Sequence, residues 1–159
     1  MPRVLFLHGL DAKPGGIKPI YLARRGHELL NPALPRDDFF LSISIAQKEL
    51  DTAHPDIVVG SSRGGAVALA MNIPDVPVIL LAPAWRFFDV PIHIPPVLRI
   101  LHAPADSLIP IAHSHELIER AGNADVQLIE VGESHAMTDS ESLELLDRLI
   151  HELTTQTGK

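Results

Sequence analysis

One short segment of the chain has the residue types and spacing of a nucleophile. Gly60-Ser61-Ser62-Arg63-Gly64 matches G-x-S-x-G and directly follows the apolar run Ile57 to Val59. In this pattern a sharp strand-to-helix turn holds the central serine in a strained conformation, and glycines on either side let the backbones approach. The pattern predicts Ser62 as the nucleophile. The neighbouring Ser61 is not expected to have this role. Taken alone, the segment also fits a phosphate-cradling loop or a simple turn.

A serine hydroxyl is a poor nucleophile until a base removes its proton. His135 follows the apolar run Val126 to Val131 and is the predicted general base, although an exposed loop histidine would suit the same position. Asp106 follows the run Leu98 to Leu101 and is predicted to orient the histidine and stabilise its imidazolium. The order Ser62, Asp106, His135, with one residue after each strand, is the order that G-x-S-x-G enzymes use.

Acyl chemistry also needs hydrogen-bond donors where negative charge develops. The N–H of Arg63 follows the nucleophile at the start of a helical segment, so it is a predicted oxyanion donor. The dipole of that helix favours the same charge.

These residues converge only if the segments between them form a parallel sheet. Short runs of Val, Ile and Leu without polar alternation are typical of strands covered on both faces. The runs are Val4 to Leu7, Ile57 to Val59, Val78 to Ala82, Leu98 to Leu101 and Val126 to Val131, with a weaker sixth near His27 to Leu30. Segments of helical period alternate with them, which predicts an α/β fold: a mostly parallel sheet of about six strands with helices on both faces. The last strand contains Gln127 and Glu130 and is expected near an edge.

Capping residues mark where three helices begin or end. Asp37 or Asp38 can cap the helix that follows them. Thr138 and Glu141 have the spacing of a capping box before the last helix. A helix from about Pro110 ends before Gly122, a residue suited to a left-handed C-terminal cap.

Four segments together carry a family resemblance: Leu7-His8-Gly9-Leu10, Gly60-Ser61-Ser62-Arg63-Gly64-Gly65, Asp106 with Ile109-Pro110, and Gly132-Glu133-Ser134-His135. With them the chain resembles the α/β-hydrolase superfamily, particularly its small bacterial esterase-like members of the YqiA type. The resemblance implies that His8-Gly9 begins the loop of the second oxyanion donor, which maps onto the N–H of Leu10. It also implies that the first strand lies inside the sheet.

The substrate pocket is expected in the loops at the carboxyl ends of the strands. Larger relatives insert a cap domain where this chain has only Pro83 to Pro96, so we expect a minimal fold without a cap domain. The predicted pocket residues are His8, Gly9, Asp11, Trp85, Phe87 and Phe88. For the three aromatic residues, ordinary packing over the sheet edge is the alternative.

Composition narrows the function classes. The chain has 159 residues, 46% of them hydrophobic, which suits a single domain over 1–159. Without cysteine, covalent chemistry must use oxygen or nitrogen. The net charge of −7 and scattered basic residues argue against nucleic acid or an anionic membrane as partner. No signal peptide pattern or membrane-length apolar run occurs, so we expect a cytoplasmic protein.

Metal binding and cofactors are not expected. His113 and His115 stand two apart on a predicted helix and would project in different directions. His93 lies among prolines, and His8 belongs to the oxyanion loop. The chain is therefore predicted to be a serine hydrolase acting on a small ester-like substrate, a carboxylesterase with thioesterase and amidase activities as the other possibilities. The alternative is a non-catalytic binding protein of the same fold that recognises a protein or small anion. Its oligomeric state is not predicted.

Overall fold

Strands and helices alternate along the chain. The computed structural model describes residues 1–10, 14–122 and 124–157. The strands in these ranges are β1 (Arg3–Leu7), β2 (Glu28–Leu30), β3 (Ile57–Ser61), β4 (Val78–Leu81), β5 (Val97–His102) and β6 (Asp125–Glu130). The helices are α1 (Ile17–Arg24), α2 (Phe39–Ala53), α3 (Arg63–Ala70), α4 (Ala112–Arg120) and α5 (Ser140–Thr157), and a 3₁₀ turn covers Trp85–Phe87.

The six strands form one parallel sheet in the order β2-β1-β3-β4-β5-β6. This confirms the predicted α/β architecture, with β1 inside the sheet and β6 at an edge. The register places Leu7 opposite Gly60, and Gly60 opposite Leu80. The carboxyl ends of the central strands therefore lie along one edge of the sheet, called the carboxyl edge below.

Both faces of the sheet are covered by helices. Val4 and Phe6 of β1 pack in one core cluster with residues of α1 and α5. Leu5 and Leu7 face the other way and pack with residues of α2, α3 and α4. Because successive side chains of a strand point to opposite faces, an uninterrupted apolar strand is what two helical layers require.

Helix starts follow their polar residues, with one correction. The Asp38 carboxylate accepts a hydrogen bond from the Leu41 N–H at 2.9 Å and caps α2, as predicted. The last helix is capped by Asp139 instead of Thr138. The Asp139 carboxylate accepts from the N–H and hydroxyl of Ser142, at 3.1 and 2.9 Å, so the charged acceptor sets the boundary one residue later than expected.

The connection between β4 and β5 contains no inserted domain. Residues 82–96 contain the 3₁₀ turn and otherwise irregular chain, and the His93 N–H ties this segment to α3 by donating to the Leu69 carbonyl at 2.7 Å. This agrees with the minimal fold expected. Among the helices that the structure describes, none combines the length and apolar character needed to cross a bilayer.

Candidate active site

The G-x-S-x-G segment forms a strained turn at the carboxyl edge. Ser62 lies between β3 and α3 with φ 55° and ψ −114°, a backbone conformation that residues with a Cβ rarely adopt. The glycines explain how the turn fits. A Cβ on Gly64 would collide with the Leu7 carbonyl of β1, and one on Gly60 would lie 2.6 Å from the Gly64 oxygen. Only glycine permits this contact between the start of α3 and the sheet.

The structure brings the three predicted catalytic residues together. The Ser62 Oγ lies 3.0 Å from His135 Nε2, and His135 Nδ1 lies 2.7 Å from Asp106 Oδ2. They come from turns after β3, β5 and β6, and 29 and 73 residues separate His135 from its two partners along the chain. Because Nδ1 faces a carboxylate, it carries the ring proton, and Nε2 is free to accept the serine proton.

Hydrogen bonds hold the Asp106 carboxylate in its charged form. The side chain is fully buried, and burial by itself raises the pKa of a carboxyl group. The N–H groups of Ile109 and Leu108 donate to Oδ1 at 2.8 and 2.9 Å, and His135 donates to Oδ2. Together these bonds outweigh burial and lower the pKa of Asp106 below its ordinary value. Asp106 is therefore a carboxylate when His135 needs an anionic partner.

Sequence reasoning did not assign a role to two buried polar residues behind Asp106. His102, the last residue of β5, places Nε2 at 3.3 Å from Asp106 Oδ2 and 2.9 Å from the Ile109 carbonyl. Its Nδ1 lies 2.7 Å from the Ser114 Oγ of α4. Two features of the sequence could have pointed to these residues: a histidine four residues before Asp106, and a serine on the apolar stripe of α4.

The predicted oxyanion donors are the N–H groups of Arg63 and Leu10. Arg63 is the first residue of α3, so its N–H has no acceptor within the helix. The loop before Leu10 runs beside the turn, since a Cβ on Gly9 would lie 3.5 Å from the Ser62 Cβ. His8 accepts from the Leu34 N–H at Nε2 and donates from Nδ1 to the Gly9 carbonyl at 2.8 Å. Because a trans peptide points its C=O and N–H in opposite directions, this bond also orients the Leu10 N–H.

The Arg63 side chain points away from this space. Its guanidinium donates to the Pro35 carbonyl at 2.8 Å and lies 5.5 Å from the centre of the Phe39 ring. Burial lowers the pKa of Arg63, while Asp37 and Asp38 act in the opposite direction. The side chain thereby ties the loop before α2 to the turn that holds the nucleophile.

A cavity of about 180 Å³ opens beside the turn. His8 and Gly9, two of the predicted pocket residues, line it with Phe6, Ile17, Pro19 and Ser61. Lys18 also lines it and donates to the Ala136 carbonyl at 2.5 Å, next to His135, and burial lowers the pKa of this lysine. A larger cavity of about 310 Å³ lies around Pro55 and Pro74, before β3 and β4 and thus at the opposite edge.

The other predicted pocket residues do not line this cavity. The prediction that Trp85 lines the pocket is corrected by its burial. Only 6% of the residue is exposed, and it packs in the core, with Nε1 donating to the His113 carbonyl at 3.0 Å. Phe88 stacks on Phe39 at 4.0 Å between ring centroids. Phe87 is exposed. Packing at the sheet edge therefore accounts for Trp85 and Phe88. The prediction for Asp11 falls outside the described residues.

One group within the described residues has the side-chain types of a metal site. His27, Asp147 and His151 offer ligand atoms within 4.8 Å of one another. The Asp147 carboxylate already accepts from His27 Nε2 at 2.6 Å and from Arg25 Nε at 3.1 Å. The guanidinium therefore supplies, at the Asp147 carboxylate, the positive charge that a cation would bring.

Comparisons with known proteins bear on the fold. Neither a protein-family model nor a curated protein matches the chain. Solved structures do. The alpha/beta hydrolase domain-containing protein 10 from mouse has a TM-score of 0.76 at 19% identity, covering 98% of this chain and 90% of that one. Est1E from Butyrivibrio proteoclasticus has a TM-score of 0.71 at 15% identity, covering 98% and 88%. The esterase domain of a Rhodothermus marinus protein has a TM-score of 0.70 at 16% identity, covering 96% and 87%.

Proposed function

Starting from the fold of this chain, which is the α/β-hydrolase fold, we propose that it is a serine hydrolase. It cleaves a carboxylic ester or related acyl bond through an acyl-enzyme on Ser62. The observation that carries the proposal is the hydrogen-bonded chain from Ser62 Oγ through His135 to Asp106, at 3.0 and 2.7 Å. A binding protein needs no such chain, and the strained serine would bring it no gain.

The first step is attack on the carbonyl carbon. His135 Nε2 takes the proton from Ser62 Oγ as the oxygen bonds to that carbon, and the carbonyl oxygen becomes negative. Asp106 stabilises the imidazolium that forms, because its carboxylate faces Nδ1 in a fully buried position. The N–H groups of Arg63 and Leu10 donate to the oxyanion. Such a donor contributes about 3–4 kcal/mol in comparable hydrolases.

The second half of the reaction reverses these roles. The imidazolium of His135 gives its proton to the leaving alcohol, and the bond between carbonyl carbon and leaving oxygen breaks. Water then attacks the acyl carbon as His135 Nε2 takes its proton. The bond between that carbon and Ser62 Oγ breaks, and the imidazolium returns the proton to Oγ, which releases the acid and restores the Ser62 hydroxyl. His135 Nε2 carries every proton that is transferred, so the scheme uses neither a metal nor a redox cofactor.

Names of structural neighbours agree with hydrolysis as the reaction class. Est1E and the Rhodothermus domain are both called esterases. One structure of Est1E holds ferulic acid, an aromatic carboxylic acid. At the identities found here these names support the class of chemistry only, and the esterase subclass is part of our proposal.

A serine-directed probe tests the proposal. A fluorophosphonate should label the wild-type protein at Ser62, and Ser62→Ala should lose both labelling and turnover of short nitrophenyl esters with its circular dichroism unchanged. Ser44→Ala, a change at an exposed α2 residue, is the matched control and should behave as wild type. Ser61→Ala should retain measurable labelling. Esterase activity that survives in Ser62→Ala would refute the proposal.

The same experiment separates the hydrolase from the binding protein. Wild-type protein that folds but neither reacts with the probe nor turns over esters, thioesters or amides would favour the binding protein. Among hydrolase subclasses, the best substrate in that panel assigns the leaving group.

A further inference from the structure

His102 makes three buried polar contacts that the mechanism above does not use. Its side chain has no exposed surface. Nε2 lies 2.9 Å from the Ile109 carbonyl oxygen and 3.3 Å from Asp106 Oδ2, and Nδ1 lies 2.7 Å from the Ser114 Oγ. Because no substrate can reach it, His102 can act only through these neighbours.

The contacts define the protonation state of the ring. Two oxygens without protons face Nε2, so Nε2 carries the hydrogen and donates. Nδ1 is then an acceptor, and the Ser114 hydroxyl donates to it. Burial lowers the pKa of His102 in spite of the nearby Asp106 carboxylate. The ring is therefore a neutral donor at neutral pH.

Ile109 couples this donor to the carboxylate. Its carbonyl accepts from His102, and its N–H donates to Asp106 Oδ1 at 2.8 Å. The second oxygen, Oδ2, lies between His135 Nδ1 at 2.7 Å and His102 Nε2 at 3.3 Å. The loop that carries Asp106 is thus anchored to β5 and, through Ser114, to α4.

We propose that His102 is a positioning residue for the reaction proposed above, on which this inference rests. Its Nε2–H fixes the Ile109 carbonyl and the Asp106 carboxylate so that Oδ2 faces His135.

Two substitutions separate the donor from the bulk of the ring. His102→Gln keeps an N–H at a depth similar to Nε2, whereas His102→Leu fills the space without a donor. In the leucine variant kcat should fall by up to about 10²-fold, since the carboxylate is misplaced, while KM changes little. The resonance of the His135 Nδ1 proton, followed by proton NMR, should move upfield from its wild-type position, because the misplaced carboxylate holds this proton in a weaker hydrogen bond. The glutamine variant should restore both values towards wild type.

His115→Leu makes the same change at an exposed histidine of α4 and should match wild type in both measurements. Wild-type kcat and an unmoved His135 Nδ1 proton resonance in His102→Leu would overturn the proposal. A loss of kcat that glutamine does not restore, with this resonance unmoved, would also overturn it, because packing alone would explain that result.

Nitrogen-15 NMR of the wild-type protein keeps the test decisive if the leucine variant does not fold. The His102 ring should stay neutral and protonated on Nε2 across the neutral pH range, and the opposite tautomer or a charged ring would refute the proposal. These spectra need no activity. Failure of the proposed function, read from the fluorophosphonate, is therefore distinguishable from failure of the His102 contact.

Discussion

Two buried aspartates of this chain sit in nearly matching surroundings, and only one has a nucleophile beside it. In the Asp106 cluster (Asp106, His135, His102 and Ser62), Oδ2 lies 2.7 Å from one imidazole and 3.3 Å from another. In the Asp147 cluster (Asp147, His27, His151 and Arg25), Oδ1 lies 2.6 and 3.5 Å from two imidazoles. In both, hydrogen bonds overcome burial and lower the pKa of the carboxyl group.

The difference lies in what surrounds each pair. Backbone N–H groups hold the other oxygen of Asp106, whereas the Arg25 guanidinium holds that of Asp147 at 3.1 Å. Beyond His135 stands the Ser62 hydroxyl on its strained turn. Beyond His27, the buried Nδ1 has no hydrogen-bond partner within the described residues. An aspartate–histidine pair is thus an ordinary structural device, and the turn that delivers a hydroxyl gives one of the two pairs a reaction to support.

The largest expected effect comes from exchanging each carboxylate for an amide. Asp106→Asn should lower kcat for ester hydrolysis by about 10⁴-fold, because the amide can donate to Nδ1 and hold the wrong tautomer of His135. Asp147→Asn should leave kcat at the wild-type value. Steady-state kinetics with a nitrophenyl ester compares the two variants. Equal losses in both would mean that the clusters do not differ in function.

Asp147 is expected to contribute to the stability of the fold and not to catalysis. Asp147→Asn weakens charge-assisted bonds to His27 and Arg25 in a side chain that is only 8% exposed. The free energy of unfolding should fall by about 1–3 kcal/mol. Urea unfolding followed by circular dichroism measures the change. A variant as stable as wild type would show that the network around Asp147 contributes no net stability.

Substitutions in the strained turn at Ser62 should change stability by a smaller amount, but they test the backbone conformation directly. Ser62 has a φ of 55°, which glycine adopts without strain, so Ser62→Gly should be more stable than Ser62→Ala. Release of strain, partly offset by the greater freedom of glycine in the unfolded chain, should leave a difference of about 1 kcal/mol. Both variants lack the hydroxyl, so urea unfolding compares the backbone alone. Equal stability would show that the turn stores no strain.

The sequence predicted the sheet and the three residues at its carboxyl edge because their signals are local. Apolar runs mark strands such as β3, and Gly60 and Gly64 mark the turn, since backbone approach excludes any side chain there. His135 and Asp106 followed from their place after strands in a parallel sheet. The weak β2 has only three residues, and its apolar run began one residue early, at His27.

What the sequence could not supply are contacts between distant buried polar groups. His102 ends an apolar strand, and Ser114 stands where a helix would bury an apolar residue. Each has a partner only once the fold brings the start of α4 next to the end of β5. His27 and Asp147 are 120 residues apart, and neither carries a motif. Trp85 failed as a pocket residue for the same reason, because its exposure depends on how the 3₁₀ turn packs against α4.

The loss of stability at acid pH should differ least between the two clusters, since the pKa values of both carboxyl groups are shifted in the same direction. Each pKa lies below the ordinary value of 3.8 in the folded protein, so each aspartate contributes stability that is fully present above about pH 4. That contribution is lost as the pH falls through the folded-state pKa. Wild-type stability, measured by urea unfolding from pH 6 to strongly acidic pH, should therefore decline below about pH 4 more steeply than that of Asp106→Asn or Asp147→Asn. A variant whose decline is as steep as wild type would show that its aspartate is not held as a carboxylate, and if that aspartate were Asp106, His135 would lack the anionic partner that the mechanism requires.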